Sequence, residues 1–127
     1  FTMGGATSVD REYRVPYSSW WPQELPDERD FDTARTKLDE VGWKVDCVIT
    51  HTCSTRMLSP TLCPDPGWER PDVDRLTGFL DELEDCLDYK HWYYGHFHRD
   101  GNPDERHTVL YDRIVGLGDK LLPWGAY

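Results

Sequence analysis

Apolar residues recur at helical spacing in two stretches of the chain and at strand-like density in four, with long irregular segments between them. In FDTARTKLDEVG, Phe31, Ala34, Leu38 and Val41 share one face of a short amphipathic helix, with Asp30 or Asp32 as N-cap and Gly42 as the stop. In PDVDRLTGFLDELEDCLDYK, Val73, Leu76, Phe79, Leu80, Leu83, Cys86 and Leu87 make the longer apolar stripe of a second helix. WKVDCVITH is a β-branched run that reads as a buried strand ending at Thr50-His51. HWYYGHFH has aromatic, strand-like composition, and HTVLYDRIVGLG reads as a last strand with a bend at Asp112-Arg113. The opening FTM reads as the end of a strand that turns at Gly4-Gly5.

Two loops interrupt this order. REYRVPYSSWWPQELPDERD holds Pro16, Pro22 and Pro26 among Tyr13, Tyr17, Trp20 and Trp21, and TCSTRMLSPTLCPDPGWERP has four prolines and no period. Structureless loops of this length are uncommon in compact domains unless they line a site. The resulting order of strand, helix, strand, helix, strand, strand predicts one α/β or α+β domain with its loops gathered at strand ends.

Composition removes several functional classes. The 127 residues carry a formal net charge of −10 with no Lys/Arg cluster, which sets the chain against a phosphate backbone and excludes a nucleic-acid scaffold role. No apolar run reaches the roughly 20 residues of a membrane span, and no basic-then-apolar leader opens the sequence, so a cytoplasmic protein without a membrane partner is expected. Cys47, Cys53, Cys63 and Cys86 include no CxxC pair. Cys47 and Cys86 are expected as buried thiols, and Cys53 and Cys63 as reduced residues flanking a loop.

The candidate chemistry lies in the histidines. His51 ends one strand, and His96 and His98 follow the aromatic run of another in YYGHFHRD. If the two strands are neighbours, the three imidazoles meet, and residues two apart on an extended chain face the same side. Gly95 removes a side chain where the backbone comes close to another segment. His91 and His107 belong to no such pattern and read as surface or packing residues.

Taken in order, GGATSVDREYR, then VITHT, then KHWYYGHFHRD resembles the C-terminal half of the calcineurin-like metallophosphoesterases, over Gly4 to about Gly118. The resemblance implies half of a four-layer α/β/β/α sandwich, with a mixed sheet and two main helices. It implies that His51 and His96 bind one divalent ion of a pair and His98 the other, the ions being Mn, Fe or Zn. The family's DxH, GDxxD and GNHE or GNHD motifs are absent from these residues, and GNPDE at 101–105 has Pro103 where the motif has histidine. Metal-dependent hydrolysis of a phosphomonoester or phosphodiester is therefore expected only when carboxylates come from elsewhere, with little activity from this chain alone.

The resemblance leaves two histories open, a piece of a larger enzyme or one chain of a two-chain enzyme. Both imply an exposed sheet face and either self-association or a partner carrying the other half. Arg11 and Arg14 are candidate contacts to a substrate phosphate, and the acidic composition favours a phosphorylated small molecule or phosphoprotein as substrate. The alternative is a noncatalytic interaction or regulatory module on the same fold.

Overall fold

The computed structural model describes residues 1–8, 10–58 and 73–119. Four strands and two helices follow one another as β1 (Thr2–Met3), α1 (Glu28–Glu40), β2 (Lys44–Thr50), α2 (Arg75–Cys86), β3 (Asp88–Tyr94) and β4 (His107–Val109). Single 3-10 turns at Arg11–Tyr13, Pro22–Glu24 and Thr55–Met57 punctuate the loops.

The strands form one sheet in the order β1-β2-β3-β4, and every pair is parallel. This replaces the expected mixed sheet. The direction of β4 is set by the 95–106 connection, which carries the chain partway back along β3 without a helix, so that Trp92 pairs with His107 and Tyr94 with Val109. The expected bent strand over 107–118 is reduced to its first three residues.

Because β1, β2 and β3 are laid down in sequence in one direction, crossovers of a single hand place both helices on the same face of the sheet. They pack against each other there. Phe31 of α1 stacks on Phe79 of α2 with ring centroids 4.6 Å apart, and Arg35 reaches Glu82 at 2.7 Å. Leu38, Leu76, Leu80 and Leu83 complete a core with Val48, Trp92, Tyr94 and Val109 from the sheet. The opposite face carries no helix among the described residues. The 116–119 segment lies over part of it, with Gly118 N–H donating to the Tyr93 hydroxyl and that hydroxyl donating to the Asp119 carbonyl, while Ile49 stays 41% exposed.

Both helices begin in capping boxes. Asp27 accepts from the N–H groups of Arg29 and Asp30 and is bonded in return by Asp30, so α1 starts about a turn earlier than an Asp30 or Asp32 cap would place it. It stops as Gly42 takes a φ of 63°. Asp74 caps α2 and also accepts a 2.6 Å bond from the Thr7 hydroxyl, which fastens the GGATS turn to that helix.

The cysteines depart from expectation. Cys53 is buried, Cys47 is half-buried, and Cys86, the last residue of α2, is exposed because the helix ends before its side chain reaches the core. Cys63 lies outside the described residues. The aromatic loop does not build a satellite core: Tyr13, Tyr17 and Trp21 are exposed, and the half-buried Trp20 lies under the Arg11 guanidinium at 3.9 Å.

The GGATS turn offers a paired test of backbone constraint. Gly5 has a φ of 100°, and a Cβ there would lie 2.6 Å from the Glu24 carbonyl oxygen, whereas nothing stands within 4 Å of a Cβ on Gly4. Gly5→Ala should cost about 2 kcal/mol or more in urea denaturation, against roughly 0.5 kcal/mol or less for Gly4→Ala.

Candidate functional site at the strand ends

Parallel strands pointing one way deliver their carboxyl ends to one edge of the sheet, the place where open α/β sheets bind ligands. Here that edge holds Gly4-Gly5 after β1, His51 after β2, and Gly95 to His98 after β3. Met3 is in register with Thr50, and Thr50 with Tyr94, so these residues line up side by side. The Gly95 N–H extends the ladder by one bond to the His51 carbonyl at 3.1 Å. A Cβ on Gly95 would sit 3.3 Å from the Leu110 carbonyl, the close backbone approach that calls for glycine.

The GHFH segment is a turn, contrary to the extended chain expected from its sequence. His96 has a φ of 74° and His98 a φ of 48°, both in the left-handed region. Between them Phe97 is buried, edge-on to Tyr94 at 6.0 Å between ring centroids. The turn sends the phenyl ring into the core and leaves both imidazoles on the cleft side. The imidazoles share one cleft, as expected, but through two left-handed residues.

His51, His96 and His98 all line a cleft of about 820 Å³, together with Gly4, Gly5, Asp10, Arg14, Glu24 and Asp30. The ring centroids of His51 and His96 are 5.2 Å apart. His98 stacks on Tyr111 at 4.8 Å. Of the two arginines proposed for phosphate, Arg14 lines the cleft but is engaged by Asp10 at 2.6 Å, and Arg11 is drawn onto Trp20 instead.

Three carboxylates of the cleft had no motif to announce them. Glu24 accepts from both the backbone N–H and the hydroxyl of Ser8. Burial alone would raise the Glu24 carboxyl, but the Ser8 bonds, the Trp20 indole and the Arg11 charge together outweigh it and hold it below the ordinary range. Asp10 pairs with Arg14, and Asp30 is committed to the α1 capping box. No His-x-Glu or Asp-x-His spacing links them to the histidines, and only the folded chain assembles the group.

Burial pushes the His96 imidazole down to about 4, and the neighbouring His51 and His98 add to the effect. At neutral pH this ring is therefore an uncharged donor with a free lone pair, the form in which histidine binds metal. Two imidazoles sharing one tetrahedral ion at the usual nitrogen distance of about 2.0 Å have ring centres about 5 Å apart. The His51–His96 pair fits that spacing. Among the described residues no group of three or more His, Cys, Asp or Glu side chains is placed to hold a metal ion. The chain matches no family model, no curated protein and no solved structure.

A lowered histidine pKa means that the unfolded chain takes up the proton first, so stability falls as the pH drops from 6.5 toward 4. In an NMR titration of the metal-free chain, His96 should remain neutral until about pH 4, and His96→Asn should reduce the loss of stability between pH 6.5 and 4. Titration of His96 near 6.5 would show that its desolvation is not as described.

Proposed function

We propose that this chain is the histidine-bearing half of a metal-dependent phosphoester hydrolase of the calcineurin-like kind. The observation that carries the reading is the placement of His51 and His96 side by side at the carboxyl ends of neighbouring parallel strands, with His98 and the Gly4-Gly5 turn on the same cleft. His51 and His96 would hold one ion, and His98 a second. Divalent ions in this position would lower the pKa of a bound water and clamp phosphoryl oxygens. The chain's own residues orient and exclude: Tyr111 fixes the His98 ring, Gly95 lets β3 approach His51, and Arg14 stands at the rim where a phosphate oxygen would lie.

The same reading gives a partner to the sheet face that carries no helix among the described residues, where Ile49 is 41% exposed. In an α/β/β/α sandwich that face packs on a second sheet, and a partner carrying the DxH, GDxxD and GNHE motifs would bring both the missing sheet and the bridging carboxylates. The substrate is a phosphorylated small molecule or phosphoprotein. The cysteine spacing, which provides no disulfide framework, supports a cytoplasmic setting. Among the described residues no helix is long and apolar enough to cross a membrane.

Calorimetric titration with Mn²⁺ or Zn²⁺ should give weak binding that falls at least about tenfold in His96→Ala, the loss expected when one of few ligands is removed. Hydrolysis of an aryl phosphate or aryl phosphodiester with Mn²⁺ should be low and should vanish in the same variant. Turnover that survives His96→Ala would defeat the assignment.

The helix-free sheet face gives a separate test. Sedimentation of the chain at high concentration should show self-association. A single monodisperse monomer would count against half of a sandwich.

A further inference from the structure

Away from the cleft, His107 sits under the helices with its side chain 7% exposed, between two carboxylates on opposite sides of the ring. Nδ1 is 2.8 Å from both oxygens of Asp104, and Nε2 is 2.9 Å from Glu84 Oε1. Glu84 comes from α2, His107 begins β4, and Asp104 lies in the turn leading into it. The Tyr89 hydroxyl of β3 donates to Glu84 at 2.7 Å and lies 3.2 Å from His107 Nε2, and Ser54 Oγ donates to Glu84 at 3.3 Å. Arg106 lies over the Tyr89 ring, and Tyr94 is the remaining titratable side chain against the imidazole. Only an imidazolium can donate to both carboxylates at once.

We propose that Glu84, His107 and Asp104 form a proton-operated latch: the imidazolium joins α2, through Glu84, to the turn entering edge strand β4, through Asp104, and loss of its proton releases the Asp104 arm. A neutral ring keeps a single N–H, so one carboxylate must face a lone pair in a buried setting. Glu84 is 13% exposed and has Tyr89 and Ser54 to hold it, whereas Asp104 is 46% exposed and can turn to water. The surviving tautomer is therefore Nε2–H toward Glu84. Asp104 also accepts from the N–H groups of Arg106 and His107, so its departure loosens the entry to β4.

The far end of β4 supports the cleft. Val109 exchanges both backbone bonds with Gly101, and Tyr111, two residues beyond, stacks on His98. On the reading proposed above, opening of the latch would unsettle a metal-holding turn, and in that consequence alone the latch rests on that reading. Burial would lower the His107 pKa, but the bonds to Glu84 and Asp104 outweigh it and raise it above 6.5. The stability supplied by the clamp is thus complete below pH 6.5 and is lost as the pH rises through the folded value.

The test is imidazole ¹⁵N NMR and amide hydrogen exchange on the metal-free full chain, with exchange corrected for intrinsic rates. At pH 6.5 both His107 nitrogens should carry protons. As the pH rises, Nδ1 should lose its proton, and protection of the Arg106 and His107 amides should fall at least tenfold, that of Gly101 and Val109 less, and that of α1 not at all. His107→Gln should abolish the pH dependence. Should that variant fail to fold, Asp104→Asn should move the transition to lower pH.

A ring that is neutral at pH 6.5, loss of the Nε2 proton first, or exchange at β4 that follows α1 would each overturn the proposal. None of these readouts involves metal or turnover. An intact latch in a chain that binds no metal would refute the proposed function alone, and metal binding without the latch response would refute the latch alone.

Discussion

The constraint on which the rest of this structure depends is the handedness of connections between parallel strands. Three strands laid side by side in chain order leave the two helices no choice but the same face. That arrangement makes the core one-sided, with Phe31 on Phe79 above Val48 and Trp92. It brings the ends of β1, β2 and β3 to one edge, where a glycine turn, a lone histidine and a histidine pair are juxtaposed. Among the described residues the second face carries no helix, only the 116–119 segment over part of it. The cleft and the helix-free face are thus two results of one topology, and this is why a functional reading of one has to account for the other.

The elements were largely legible because their signals are local. Apolar spacing located α1 and α2, and the β-branched run located β2 and its terminal His51. The neighbourhood of His51 and His96 also followed from strand ends alone. What could not be read was settled by partners distant in sequence. The period of two in His96-Phe97-His98 suggested an extended chain, but burial of Phe97 against Tyr94 outweighs the cost of two left-handed residues, which is about 1 kcal/mol or somewhat more each. The direction of β4 is set by how its connection returns. Glu24 came to the cleft through Ser8, and His107 acquired its role from Glu84, 23 residues before it.

Two histidines in this small protein show how environment decides charge. Both are removed from water, and in both burial alone favours the neutral ring. At His96 burial and the neighbouring imidazoles outweigh the Asp74 and Glu24 carboxylates, whereas at His107 the bonds to two carboxylates outweigh burial and raise the pKa. The difference lies in the neighbours and not in depth. It gives the protein an uncharged nitrogen where a ligand can reach it and a more tightly protonated ring where a strand edge has to be held.

The charge of the cleft bears on the order in which a phosphoester and metal could arrive. Asp10, Glu24 and Asp30 line it, and Arg14, the one arginine lining it among the described residues, is already paired with Asp10. Two like charges about 4 Å apart repel by roughly 4 kcal/mol at an effective dielectric of about 20, so a phosphate dianion entering this cleft by itself meets an opposing field. The neutral His96 imidazole does nothing to reverse it. Two dications would, since bound metal ions are often the largest local charges in a site and invert its sign. On the proposed reading metal must therefore bind before the substrate, and the acidity of the cleft would gather the cations that an anionic substrate requires.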